Sequence, residues 1–154
     1  MRVRLLSVGK PKDPRLAALH DDYALRIRRF GVTYETAWVP EVESGRRYSS
    51  EHAKEREGRS ILEDLDPRGS VVALDPAGDA LTSEAFARRL ETWSASRVTL
   101  VVGGPLGLHR DVLRAATGTW SLSPLTFPHE LVRVLVAEQV YRALTLLRGV
   151  PYHK

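Results

Sequence analysis

The chain has 154 residues, which is enough for one compact domain with a proper core and leaves little room for a second. Its 43% hydrophobic and 27% charged residues are ordinary for a soluble globular protein, and no apolar run approaches the roughly 20 residues that a membrane helix needs. Cysteine is absent, so disulfides, thiolate zinc sites and cysteine nucleophiles are excluded, and a cytoplasmic protein is the simplest interpretation.

The net charge is +4, and its main source is residues 1–60, which carry 13 Lys and Arg against 9 Asp and Glu. A basic surface favours an anionic partner such as RNA. Any single arginine of this segment can equally be a solvated residue of a helix or loop. The candidate RNA contacts are Arg26, Arg28, Arg29, Arg46 and Arg47.

Apolar spacing and turn residues predict the elements of the first half of the chain. These are a strand over 3–8, a helix over 14–30, a strand over 32–39, a mobile basic loop over 41–50 and a highly charged helix over 50–65.

In the second half, two continuous apolar runs over 70–75 and 97–102 are typical of strands buried on both faces. The other predicted elements are a helix that opens at Thr82, a helix over about 109–116, a short strand over 119–122, and a last helix from near Pro128 to Gly149. Because strands alternate with helices, we predict one α/β domain with a largely parallel sheet.

The last helix is apolar around nearly its whole circumference, so it must be buried on more than one side. In so small a domain we expect the second side to face another subunit, and a symmetric homodimer is the commonest such arrangement. The apolar residues are Leu131, Val132, Val134, Leu135, Val136, Val140, Leu144, Leu146 and Leu147.

Glycine-rich or proline-rich loops follow the two buried strands, over Leu74–Gly78 and Gly103–Gly107. Ligands of parallel sheets bind at the carboxyl ends of strands, and glycine lets them approach the backbone. Together with Leu122–Phe127, these loops either form a ligand site or merely turn the chain. No dinucleotide, P-loop or serine-hydrolase motif is present, and no histidine pair has zinc spacing, so no metal is predicted.

Several polar residues near the end of the chain could carry chemistry. His129 either functions in a site or caps the last helix. Arg142 either forms a surface salt bridge with Glu138 or is held to meet a phosphate or substrate. Tyr152 could stack on a base and His153 could transfer a proton, unless the tail, residues 149–154, is unstructured.

These residues together closely resemble the RlmH family, pseudouridine N3-methyltransferases of large-subunit ribosomal RNA in the SPOUT superfamily. The resemblance covers the whole chain. Its motifs are Leu74-Asp75, Ser83-Glu84-Ala85-Phe86, Gly103-Gly104-Pro105-Leu106-Gly107-Leu108, Leu122-Ser-Pro-Leu-Thr-Phe-Pro-His129, Arg133, Glu138-Gln139, Tyr141-Arg142 and Pro151-Tyr-His-Lys154. The chain departs from the family's pattern at Leu106 and at Pro124, which removes one N–H donor.

The resemblance implies a single SPOUT-type α/β domain over 1–154 whose C-terminal part forms a deep trefoil knot. It implies a homodimer with the last helix at its interface, S-adenosylmethionine as cofactor, and 23S rRNA of the assembled ribosome as substrate. The implied cofactor-binding residues are Leu74, Gly103, Leu122, Ser123, Pro124, Leu125, Thr126 and Phe127.

For catalysis, we expect the tail to close over the cofactor pocket. His153 is the favoured proton acceptor, Tyr152 would orient the base, and Arg142 would stabilise the N3 anion or hold phosphate. The predicted substrate-binding residues are His129, Arg142, Tyr152, His153 and Lys154. Two alternatives stay open: a non-catalytic factor that binds RNA or the ribosome, and a methyltransferase with another RNA base or a small molecule as substrate.

Overall fold

A computed structural model describes residues 1–153, in which five parallel strands form one sheet of order β2-β1-β4-β3-β5. The strands are β1 (Arg2–Val8), β2 (Thr33–Val39), β3 (Ser70–Ala80), β4 (Val98–Val102) and β5 (Gly118–Ser121). The helices are α1 (Pro14–Arg28), α2 (Ser50–Asp64), α3 (Ser83–Trp93), α4 (Arg110–Ala115) and α5 (His129–Leu147). The predicted α/β fold with a parallel sheet is confirmed. No helix within residues 1–153 has the length and hydropathy of a membrane span.

Helices cover both faces of this sheet, because successive residues of its central strands are apolar and point to opposite faces. Leu5, Val72 and Leu100 pack in the core shared with α1, α3 and α5. Their chain neighbours Leu6, Ala73 and Val101 pack in the core shared with α2 and α4. Burying a side chain of this size contributes roughly 1.5–3 kcal/mol, so both layers stabilise the sheet.

Local sequence signals place the helix ends. The Asp13 carboxylate accepts the Arg15 N–H at 2.9 Å and begins α1. The helix ends at Arg28, earlier than predicted, because the N–H groups of Phe30 and Gly31 bond carbonyls three residues back and tighten the turn. Gly31 then adopts a φ of 74°, which favours glycine.

Strand β3 is longer than the sequence predicts. The prediction ended it at residue 75, but pairing with β5 resumes at Asp79 after a bulge, since Leu74 and Asp79 both pair with Trp120. Gly78 makes this close return possible, because a Cβ there would lie 2.9 Å from the Trp120 nitrogen. The bulge displaces Asp75 and Pro76 outward at the carboxyl edge of the sheet.

Helix α5 lies between α1 and α3, and no residue of it is fully exposed. Val136, Ala137, Val140 and Leu144 are buried within the chain. Packing against α1 and α3 of the same chain therefore accounts for the apolar circumference of α5. The homodimer inferred from that circumference stays a proposal.

One carboxylic acid is buried beneath the sheet edge. Glu57 of α2 is 2% exposed, and its Oε1 accepts the Val42 N–H at 2.8 Å. Its Oε2 has no partner within residues 1–153. Burial raises the pKa of Glu57 above its usual value, because the charged form is poorly solvated there.

Glu57→Gln should change how stability depends on pH. A carboxyl whose pKa is raised by folding contributes stability below its unfolded pKa and loses it as pH rises through the folded pKa. Gln cannot ionise, yet its carbonyl can still accept the Val42 N–H. We therefore expect the melting temperature of wild type, relative to the variant, to fall as the pH is raised from about 4.3, the ordinary pKa of glutamate, towards neutrality and above.

Thermal unfolding over this pH range measures the difference. Glu63→Gln, at an exposed position of the same helix, is the matched control and should give a nearly constant difference. A constant difference for Glu57→Gln as well would contradict the expectation.

Candidate functional site

A pocket of about 510 Å³ lies at the carboxyl ends of β3, β4 and β5. We call it the strand-end pocket. Seven of the eight predicted cofactor-binding residues line it, and Pro124 does not. The sequence left open whether the three loops converge, and the structure brings them together. The lining residues are Leu74, Asp75, Pro76, Val102, Gly103, Gly104, Pro105, Trp120, Leu122, Ser123, Leu125, Thr126, Phe127, Pro128, His129 and Val132.

The glycine loop is so tight that side chains would not fit. A Cβ on Gly103 would lie 2.9 Å from the Gly107 carbonyl carbon and 3.1 Å from the Leu108 nitrogen. These are backbone atoms, so the clash cannot be relieved by a side-chain rotation. The Gly107 N–H donates to the Gly104 carbonyl at 3.0 Å, and Gly107 has a φ of 79°. The loop thus folds onto itself and presents backbone to the pocket.

The opposite wall, residues 122–127, has a backbone that is nearly free of internal hydrogen bonds. Within residues 1–153 it makes one, from the Leu125 N–H to Ser123 Oγ at 3.1 Å. The remaining N–H and C=O groups are therefore available to a ligand. Leu122 and Phe127 supply apolar surface beside them.

The first turn of α5 forms a further wall of the strand-end pocket. His129 is half-buried there and makes no hydrogen bond within residues 1–153, so the alternative of a capping histidine is not what the structure shows. Glu130, the next residue, accepts the N–H groups of Lys12 and Asp13 at 2.5 and 3.1 Å. These bonds lower the pKa of Glu130, and the bond from the Lys12 N–H has the larger effect. They also tie α5 to the loop after β1.

Residues 149–153 of the tail rest on α5 and α3. The Tyr152 hydroxyl donates to Glu138 Oε1 at 3.1 Å. Arg142 donates to the same oxygen through Nε and Nη2, at 3.0 and 2.6 Å, and its guanidinium lies 4.8 Å from the centre of the Tyr152 ring. Arg142 thus forms the predicted ion pair with Glu138, and this ion pair also holds the tail. The geometry is compatible with both alternatives for Arg142, a structural salt bridge and a residue held in place to meet a phosphate or substrate. Lys154 lies outside the described residues.

His153 is held through both of its ring nitrogens. Arg142 Nη1 lies 3.3 Å from Nδ1, and Glu84 Oε1 lies 3.1 Å from Nε2. Because a guanidinium can only donate, Nδ1 accepts and Nε2–H donates to Glu84. In this arrangement the lone pair of Nδ1 is already engaged by Arg142.

Tyr152 is a hydrogen-bond donor at neutral pH. Partial burial, first, and the hydrogen bonds with Tyr23 and Glu138 raise the pKa of its phenol well above the usual range. It can therefore orient a ligand or stack on one, but it does not serve as a base.

Two carboxylates of this cluster were missed as site residues by sequence reasoning. Glu138 could have been found, because it stands four residues before Arg142 on one helix face. Glu84 could not, because nothing in the sequence places the first turn of α3 against the tail. Among residues 1–153 no group of three or more metal-ligating side chains comes together.

Within one chain, residues 149–153 of the tail do not line the strand-end pocket. Neither Tyr152 nor His153 lines the pocket. With a rise of about 1.5 Å per residue, Glu138 lies about 14 Å along α5 from His129. Within one chain, Tyr152 and His153 therefore do not cover the strand-end pocket, and closure of the tail over a pocket stays a prediction.

Comparison with known proteins assigns the family. A family model described as "Predicted SPOUT methyltransferase" matches residues 1–153. The chain belongs to the SPOUT methyltransferase family. It is 46% identical over 156 residues to a protein of Alkalilimnicola ehrlichii, covering 100% of this chain and 99% of that one. It is 41% identical over 156 residues to a protein of Anaeromyxobacter sp. (strain Fw109-5), covering 100% of both. Both relatives are named Ribosomal RNA large subunit methyltransferase H.

The fold is also shared with a solved structure. A probable methylase family protein from Haemophilus influenzae Rd KW20 matches with a TM-score of 0.54 and 11% identity, covering 99% of this chain and 70% of that one. At this identity the likeness shows the fold alone.

The strand-end pocket fits S-adenosylmethionine, the methyl donor of SPOUT methyltransferases. Its volume of about 510 Å³ lies within the range of small-molecule sites. The unpaired backbone of 122–127 suits an adenine edge, and Leu122 and Phe127 suit its faces. The bare backbone at Gly103 leaves room for close approach.

Gly103→Ala should weaken cofactor binding without unfolding the chain. The added Cβ would meet backbone of Gly107 and Leu108, so the loop must open and the pocket wall must shift. We expect calorimetry to show S-adenosylmethionine binding by wild type and a loss of at least about tenfold in affinity for the variant. Leu106→Ala changes the same loop at a residue that does not line the pocket, and it should bind normally. Equal affinity of all three proteins would place the cofactor elsewhere.

Proposed function

We propose that this chain is an S-adenosylmethionine-dependent methyltransferase that methylates N3 of a pseudouridine in 23S rRNA of the assembled ribosome. The observation that carries the proposal is the strand-end pocket, in a chain that matches over its full length relatives named Ribosomal RNA large subunit methyltransferase H. Residues 1–154 would act in the cytoplasm as one SPOUT domain and as a homodimer. Family membership supports a trefoil knot in its C-terminal part.

The strand-end pocket would hold the cofactor between the glycine loop and residues 122–127. When bound, S-adenosylmethionine supplies an electrophilic methyl group on a sulfonium. The protein must then place N3 of the base in line with that methyl group, and such positioning supplies much of the rate enhancement. His129, at the pocket wall and free of internal hydrogen bonds, would contact the RNA base.

The N3–H proton must leave as the N3–methyl bond forms, and His153 is the proposed acceptor. In the resting chain its Nδ1 accepts from Arg142. Arg142 must therefore turn away before Nδ1 can accept a proton, and an arriving phosphate or N3 anion is a competing partner for the guanidinium. Tyr152 would orient or stack on the base, and Lys154 would contact the RNA.

The separation of tail and pocket supports a site shared between two subunits. In a homodimer, the tail of one subunit can lie over the strand-end pocket of the other. The active site would then contain the Gly103 loop of one protomer and His153 of its partner.

Methylation of ribosomes tests the function and the role of His153 together. Ribosomes from a strain that lacks this protein should gain one methyl group on a pseudouridine of 23S rRNA, as read by mass spectrometry of nucleosides. His153→Ala should lower the single-turnover rate by about 100-fold or more, since general base catalysis contributes that much.

The cofactor affinity of His153→Ala should stay normal, because His153 does not line the strand-end pocket. A wild-type rate in this variant would exclude His153 as the proton acceptor. RNA binding without any methyl transfer by the wild type would instead indicate the non-catalytic RNA-binding factor.

Mixed dimers test whether the site is shared. Neither Gly103→Ala nor His153→Ala dimers should be active alone. If pocket and tail come from different subunits, a heterodimer of the two variants has one intact site and regains activity. If they come from one subunit, both sites stay damaged. Purification through two different affinity tags isolates the heterodimer, and its single-turnover rate decides between the two arrangements.

A further inference from the structure

A second pocket, of about 200 Å³, lies between α1, β1 and β2. We call it the α1 pocket. The start of α5 separates it from the strand-end pocket: His129 and Val132 line the strand-end pocket, whereas Glu130 and Arg133 line the α1 pocket. No residue of the proposed catalytic or cofactor-binding set lines it. Its lining residues are Leu5, Ser7, Pro11, Leu16, Ala17, His20, Asp21, Thr36, Ala37, Trp38, Glu130 and Arg133.

Arg133 lines this pocket, and its buried guanidinium is only partly hydrogen-bonded. The residue is only 5% exposed, and its Nη2 donates to the carbonyls of Val8, at 2.9 Å, and Gly9. Its Nε and Nη1 have no partner within residues 1–153. Buried charged donors without acceptors are costly and rare, so this arrangement points to a ligand that carries acceptor atoms.

The other lining groups disfavour an anion and favour a neutral, partly apolar ligand. Asp21 and Glu130 bring two carboxylates to the pocket, which would repel a phosphate. Leu5, Leu16 and Ala17 supply apolar walls.

A half-exposed tryptophan beside the α1 pocket favours a planar ligand. Trp38 lies near the end of the edge strand β2 with 48% of its surface exposed, and it lines the α1 pocket. The other two tryptophans, Trp93 and Trp120, are 7% and 3% exposed. A half-exposed indole beside a small polar cavity is suited to stacking on a nucleobase.

Basic residues at the rim favour RNA as the source of that base. Lys10, Lys12 and Arg15 are exposed around Pro11, which lines the pocket. A backbone that passes these cations can place one base inside while its phosphates stay outside.

We propose that the α1 pocket binds a second, unmodified nucleobase of the RNA substrate, stacked on Trp38 with its carbonyl oxygens toward Arg133. The proposal rests on the proposed RNA substrate, but it concerns a site apart from the methyl-transfer centre. Its role is to hold the RNA, so it affects affinity for RNA and leaves methyl transfer in the bound complex unchanged.

Tryptophan fluorescence tests the site directly, because Trp38 is the exposed one of three. Titration of wild type with oligouridylate should quench the emission with saturation, and iodide should quench the same population. Trp38→Phe should lose this signal yet keep RNA affinity, because phenylalanine still stacks. Trp38→Ala should bind oligouridylate about tenfold more weakly.

Ribosome methylation supplies the functional readout. Trp38→Ala should raise KM for ribosomes by about tenfold, with kcat and the Kd for S-adenosylmethionine unchanged. Ala17→Phe, which fills the pocket and leaves the indole exposed, should have the same effect on KM. Trp38→Phe should restore the wild-type KM.

Three results would overturn the inference: no quenching by oligouridylate, an indole that iodide cannot reach, or a normal KM in both Trp38→Ala and Ala17→Phe. Each leaves the proposed function intact if wild type methylates ribosomes. A wild type without cofactor binding or methylation would reject the proposed function, while the fluorescence titration still decides whether the α1 pocket binds a base.

Discussion

The start of α5 is held to the end of β1 and the loop that follows by polar contacts of Glu130 and Arg133, and the rest of the structure depends on this attachment. Arg133 donates to the carbonyls of Val8 and Gly9, while Glu130 accepts two N–H groups from the loop that follows. Charge-assisted bonds of this kind are stronger and more directional than neutral ones. They fix where α5 begins, and thereby place one wall of each pocket. The apolar packing of α5 against α1 and α3 fixes its axis but not its position along that axis.

Glu138 plays a corresponding role for the tail. One oxygen of this half-buried carboxylate receives hydrogen bonds from Arg142 and Tyr152, and Arg142 in turn contacts His153. The side chains of Arg142 and Glu138 are 25% and 15% exposed, so the pair is screened less than a surface ion pair. The Glu138 carboxylate thus orients Arg142, Tyr152 and, through Arg142, His153, although it takes no direct part in the proposed reaction. The arrangement keeps Nδ1 of His153 engaged until another partner displaces Arg142.

Much of the fold could be predicted because its signals are local. Strands buried on both faces appear as continuous apolar runs, and Asp13, Ser49 and Thr82 mark helix starts by capping. The loops of the strand-end pocket could be predicted because parallel strands end at one edge. The bulge at 75–78 could not, since it depends on Gly78 passing close to Trp120. The contact of Glu84 with His153 and the partly paired guanidinium of Arg133 could not be predicted either, because both depend on tertiary packing between distant segments.

The length of α5 imposes the last constraint on any mechanism. Its 19 residues put Leu147 about 27 Å from His129. The six residues from Leu147 to His153 span at most about 22 Å when fully extended. Even when the tail is released from Glu138, its backbone therefore stops short of His129 at the wall of its own pocket while α5 stays helical. Unwinding α5 would remove Val140, Ala143 and Leu144 from the core, at a cost of several kcal/mol. A second copy of the chain would bring a tail to the strand-end pocket without that cost. The length of α5, which keeps tail and pocket apart in one protomer, therefore favours a site formed by the pocket of one protomer and the tail of its partner.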